Sequence, residues 1–184
     1  AAWPLRGENR QTMKILLVDL KYDYGDANRG VNTIGEFSFH QALLALDHKV
    51  ETFYYDDDLG GSPELQARLL RRAEEVRPDL VVFCLFRDQF KRETLLKLRE
   101  IAPTLNWFGD DTWRFESFSS KYADVFTHIV TTDKFSVSAY RARGAKSVIT
   151  SQWAAIDRHS KPRFAGEYQY DVSFVGQFHP YRAW

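Results

Sequence analysis

The sequence predicts an α/β protein, a Rossmann-like three-layer α/β/α sandwich built on a mainly parallel sheet. Three observations predict it. Short apolar runs without alternation recur along the chain, as strands buried on both faces of a parallel sheet do. Segments of helical period separate these runs, which is the rhythm of βαβ units with right-handed crossovers. Hydrophobic residues make up 44% of the 184, and aromatic residues 15%, enough apolar side chain for a packed core.

The elements follow in order. Residues 1–12 contain Pro4 and Gly7 without periodicity and read as a linker or cloning remnant, with Met13 a natural start. Lys14 to Asp19 is an apolar strand closed by an acid. A long loop from Lys21 to Asn32 leads into a helix carrying Phe37, Leu43, Leu44 and Leu46. Val50 to Tyr55 is the next strand. Ser62 then reads as an N-cap, with Pro63 at the first helical position. That helix runs to about Arg77, with Leu65, Leu69, Ala73 and Val76 on one face, and Pro78 ends it. Leu80 to Phe86 is the longest apolar run. A helix over Lys91 to Ile101 and a strand over Leu105 to Phe108 follow. His128 to Thr131 and Ser147 to Thr150 are further strands, with a helix over Lys134 to Arg143 between them. The expected sheet has about six or seven strands, with Ile15–Val18 and Val81–Leu85 central. Residues 13–156 are thus read as one Rossmann-like domain and 157–169 as a polar linker. Residues 170–184 read as the truncated start of a second α/β domain, opening with the strand and glycine of Tyr170 to Gly176. The alternative is an edge strand of the first sheet.

Composition excludes several functions. Lys plus Arg equal Asp plus Glu at 25 each, and no basic block stands out, which excludes electrostatic binding of nucleic acid or anionic membrane. The single cysteine, Cys84, allows no internal disulfide and suits a reducing compartment. Leu80 to Phe86 is too short to span a bilayer, and no signal peptide is visible. A soluble, cytoplasmic domain without a transmembrane segment is expected. The five histidines show no metal spacing, so no metal is expected, and no Gly-x-Ser-x-Gly motif supports a hydrolase.

Ligands of open α/β sheets bind beyond the carboxyl ends of the strands, so the loops there carry the candidate residues. In the first loop and the helix start after it, Gly25, Gly30 and Gly35 allow close backbone approach, although the spacing matches neither a dinucleotide fingerprint nor a P-loop. A surface loop is the alternative. Arg87 and Asp88 follow the longest apolar run; Arg87 can pair an anion or simply neighbour Asp88. The third loop is the most pointed. Asp110 and Asp111 are adjacent carboxylates flanked by Trp107, Trp113 and Phe115, offering acid/base capacity beside stacking faces. Alternatively Asp110 caps a turn and the tryptophans fill the core.

With these residues in view, the chain resembles the amino-terminal half of a GT-B glycosyltransferase. It is most similar to the CgeB-like branch of the group 1 glycosyltransferases. The resemblance rests on Lys14 to Val18 with its long loop, on Arg77 to Phe83 and on Asp110-Asp111 after Trp107-Phe108. It continues in Thr127 to Asp133, Arg143-Gly144-Ala145 and Tyr170 to Gly176. It implies two facing Rossmann-like domains, the first binding a glycan or other cell-envelope acceptor and the second a nucleotide-sugar co-substrate. No cofactor and no metal are implied, because helix dipoles and basic side chains hold the diphosphate. By position, Asp110 or Asp111 would be the acceptor-side acid or base. Asn28, Arg29, Gly30, Asn32, Arg87, Asp88, Trp113 and Arg114 would line the acceptor side, and Gly176 would begin the donor diphosphate loop. This sequence departs from the family in lacking nearly all of the donor domain, so it is expected to be inactive alone. The alternative is a non-enzymatic Rossmann-like or receiver-like binding and signalling module. Leu16 to Asp19 and Arg77 to Phe83 resemble receiver domains, but Phe83 to Phe86 has no carboxylate to phosphorylate.

Overall fold

The structure, a computed structural model, describes residues 11–153. Their strands are β1 (Lys14–Asp19), β2 (Lys49–Tyr54), β3 (Leu80–Phe83), β4 (Thr104–Phe108), β5 (His128–Thr131) and β6 (Val148–Thr150). They form one sheet in the order β2-β1-β3-β4-β5-β6, parallel at every pairing. The Rossmann-like reading holds, with β1 and β3 both inside the sheet. The chain leaves β1 toward β2 and returns past β1 to β3. The order of progression therefore reverses between β1 and β3, the switch point at which open α/β sheets bind ligands.

Both faces of the sheet are covered. Leu16, Val18, Val81 and Phe83 pack with Leu65, Leu69 and Ala73 of α2 (Pro63–Val76), with Leu95 and Leu98 of α3 (Arg92–Ile101), and with Tyr140 of α5 (Ser136–Ala142). On the opposite face Ile15, Leu17 and Val82 pack against Phe39 and Leu43. Those two belong to a helix of two parts, a π-helical stretch over Ile34–His40 running into α1 (Gln41–Ala45). The sequence predicts this helix but not its wide first turns. A short α4 (Asp111–Arg114) and a 3-10 turn over Ser119–Tyr122 also went unread in the sequence.

Local chemistry explains the boundaries. The Ser62 hydroxyl accepts from Leu65 N at 3.2 Å, capping α2 as expected. Arg77 closes that helix in the left-handed conformation at φ 48°, directly before Pro78. One correction concerns β3. The apolar run extends to Phe86, but the strand stops at Phe83, because Leu85 N donates to the buried Asn106 Oδ1 (3.1 Å) instead of continuing the ladder. The linker and second domain expected at 157–184 lie outside the described residues, as does most of the segment 1–12.

Candidate functional site

The carboxyl ends of β1, β3 and β4 open into a cleft of about 500 Å³ at the switch point. Its floor is Asp19, the last residue of β1, which is only 2% exposed. Asp19 Oδ1 accepts from Leu20 N at 2.7 Å and from Asn32 Nδ2 at 3.3 Å, whereas Oδ2 has no partner. Burial foremost, reinforced by the neighbouring Asp56 charge, pushes the Asp19 carboxyl up to about 7 against the pull of these donors. Near neutrality Asp19 therefore exists in both protonation states and can take or give a proton.

Its surroundings are built for this approach. A Cβ on Gly35 would collide with Asp19 Oδ2 and crowd Asn32 Nδ2, so only glycine lets the helix start lie against the carboxyl group. Asn32 is the clamp. Its Nδ2 also donates to Leu20 O (3.0 Å), and its Oδ1 accepts from Gly35 N (3.2 Å). The loop before it is two 3-10 turns, Asp23–Gly25 and Ala27–Arg29, tied at its base where Lys21 N and Tyr22 N donate to Asp56 at 2.8 and 2.9 Å. Asp56 is thus a structural acceptor.

Aromatic rings form the walls. Tyr24 meets Phe86 edge-on at 5.3 Å, and Trp107 stands edge-on to Phe39 at 5.6 Å and to Trp153 at 4.7 Å. Trp113 lines the cleft and is 73% exposed. Arg114 reaches across from α4, its guanidinium 4.2 Å from the Phe118 ring centre and donating to Phe86 O at 3.3 Å. Its other nitrogen is 3.8 Å from Asp110 Oδ2, and Arg87 lies over Phe86 at 4.7 Å. Among the described residues no group of three or more His, Cys, Asp or Glu side chains is placed to hold a metal ion.

The residues singled out in the sequence divide into three sets. Asn32, Arg87, Asp110, Trp113 and Arg114 come together in the cleft. Asn28, Arg29 and Gly30 do not line it. Asn28 donates to Asp26, Arg29 pairs with Asp23 at 2.8 Å and covers Tyr24, and Gly30 turns the loop at φ 83°. Asp88 faces elsewhere too, accepting from Tyr122 OH (2.7 Å) and Lys121 Nζ (2.9 Å). Partial burial alone would raise its carboxyl, but these donors hold it below the usual range. Asp111 is 2% exposed and outside the cleft wall, its Oδ2 accepting from Thr131 Oγ1 (2.6 Å) and Tyr140 OH (2.9 Å). Burial first, and then Asp111, push the Tyr140 phenol far up and keep it a donor. Gly176 lies outside the described residues.

Asp19 is the residue that sequence reasoning missed as a site. Its signal was present: an acid ending an apolar run at a strand's carboxyl end, with a helix and its glycine following. No helix among the described residues is long and apolar enough to cross a membrane. No protein-family model matches the chain, and no curated protein matches it in sequence.

Proposed function

We propose that this chain is the acceptor-binding half of a GT-B-type glycosyltransferase, acting in the cytoplasm with a nucleotide-sugar as co-substrate. In this reading the cleft at the ends of β1, β3 and β4 takes the acceptor. The observation that carries it is the cleft's composition, a buried carboxyl group with one free oxygen ringed by aromatic side chains. Aromatic faces stack on the apolar faces of sugar rings, and carboxylates bind their hydroxyls. Asp110, on the rim beside Arg114, keeps the acid/base role toward the transferred group. Asp111 loses that role because it does not line the cleft and its Oδ2 is held by two hydroxyls.

Calorimetry with a panel of nucleotide-sugars tests this assignment. The expected result is no submillimolar binding, since an acceptor half does not grip the diphosphate. Submillimolar binding of any of them would mean that the chain is the donor half.

One observation favours a second reading. The order β2-β1-β3-β4-β5 is also that of receiver modules. The residue following β3 is Cys84 rather than a carboxylate, which weighs against it. Incubation with a small phosphoryl donor decides between the two, because only a receiver acquires acid-stable, base-labile phosphate on an aspartate.

A further inference from the structure

We propose that Asp19 is the specificity determinant of the cleft, taking a hydrogen bond from a hydroxyl of an uncharged, sugar-like ligand stacked on the aromatic walls. The inference rests on reading the cleft as an acceptor site, and it deepens that reading by naming the ligand's charge class and its anchor.

Three observations carry it. First, Asp19 lines the cleft and its Oδ2 is buried without a partner while Oδ1 holds Leu20 N and Asn32 Nδ2, so Oδ2 is the oxygen with hydrogen-bonding capacity left for a ligand donor. Leaving such an acceptor unmatched is costly, and a ligand donor recovers that cost. Second, the position of the carboxyl group is constructed, since Gly35 has no side chain where Oδ2 lies and Asn32 clamps the carboxyl group through Oδ1. Third, the cleft's charges nearly balance. Asp19, Asp23 and Asp110 are set against Arg87 and Arg114. An anion meets the carboxyl group on the floor, and a cation meets the two guanidinium groups of the wall.

The raised ionisation of Asp19 narrows the ligand group further. Near neutrality the carboxyl group is present in both forms, one accepting and the other also donating. A hydroxyl pairs with either form. An ammonium pairs only with the ionised form, and a ligand carboxylate or phosphate only with the protonated one.

The test is saturation-transfer NMR with glucose, galactose, mannose and N-acetylglucosamine, alongside glucosamine and glucuronate as charged counterparts. Wild-type chain and Asp19→Asn are compared. At least one neutral sugar is expected to bind in the millimolar range, with the charged sugars at least tenfold weaker. At about pH 8, where the ionised form predominates, Asp19→Asn, which preserves the Oδ1 contacts but presents only a donor in place of Oδ2, should weaken the neutral sugar at least tenfold. Carbon-13 shifts of the Asp19 carboxyl group in the wild-type chain provide a second measurement that needs no variant. The bound sugar should move that resonance and lower its titration midpoint.

No binding of any neutral sugar overturns the inference, as does binding within twofold in Asp19→Asn with an unmoved Asp19 resonance. Charged sugars binding as well as glucose overturn it too. Submillimolar binding of a nucleotide-sugar, with the Asp19 response to neutral sugar intact, overturns the transferase half-assignment and leaves this inference standing.

Discussion

Asp19 and Asp111 make an instructive pair. Both are carboxylates near the carboxyl ends of strands in one parallel sheet, and both are 2% exposed. Asp111 Oδ2 is held by two hydroxyls, Thr131 at the end of β5 and Tyr140 on α5, and so ties two elements together. Asp19 receives one backbone N–H and one longer amide contact, both on Oδ1, leaves Oδ2 buried without a partner, and lines the cleft. Burial alone therefore does not mark a functional acid. Each also has one buried oxygen without a partner, Oδ2 of Asp19 and Oδ1 of Asp111, and what separates the two is that Asp19 lines a ligand-sized cleft and Asp111 does not.

The largest expected effect breaks the Asp111 side of this contrast. Asp111→Ala leaves the Thr131 and Tyr140 hydroxyls buried without their acceptor and should cost about 3 kcal/mol in urea unfolding. Asp110→Ala, at the rim, should stay within about 0.5 kcal/mol. Equal small effects would remove Asp111 from the structural class.

Next comes the pH behaviour of Asp19. Its folded ionisation sits near 7 against an ordinary carboxylate value of 3.8, so the native state binds the extra proton between those limits. Stability contributed by this group is therefore intact below the unfolded value and falls as the pH rises toward 7. Asp19→Asn removes that loss. It should raise stability by about 1–2 kcal/mol at about pH 8, with the gain vanishing at about pH 5–6 and turning into a loss near pH 4. The full displacement corresponds to about 4 kcal/mol, of which the unpartnered amide hydrogens of the introduced asparagine take back a part. A gain independent of pH in paired thermal melts would contradict the assignment.

A smaller effect sharpens the contrast from the second neighbour. Asn32→Ala deletes the clamp on Leu20 O, Asp19 and Gly35 N and should cost about 1 kcal/mol. It also removes a donor that favours the charged form, so the Asp19 titration followed by carbon-13 NMR should move upward. The smallest expected change in stability belongs to Trp113→Ala. At 73% exposure, the residue should alter unfolding by less than about 0.5 kcal/mol while its loss reduces saturation transfer to a neutral sugar. A substantial loss of stability would instead make Trp113 a packing residue.

Much of the fold was legible because it rests on short-range chemistry. The strands Lys14–Asp19 and His128–Thr131 have the bounds read from the sequence, and α2 begins at the Ser62-Pro63 cap and ends before Pro78 as expected. The readings failed where a distant partner intervened. The apolar run through Phe86 gives no sign that Asn106, on the neighbouring strand, takes the Leu85 amide. Nor does the helical period over Phe37 to Leu46 reveal a π-helical first half. Nor does the sequence around Asp56 show that its carboxylate holds the base of a loop that begins 35 residues earlier.

The candidate site divides along the same line. That carboxylates, arginines and aromatic rings stand after parallel strands is already written in the chain, because strand ends and turn residues follow from local periodicity. Which of those carboxylates lines the cleft and which ties elements together was settled by packing alone. The hydroxyls that engage Asp111 lie 20 and 29 residues away along the chain, and the glycine that makes room for Asp19 Oδ2 lies on a helix beyond a long loop. A side chain's unused hydrogen-bonding capacity depends on what the fold brings against it, and neighbours so distant in sequence leave no mark at its own position.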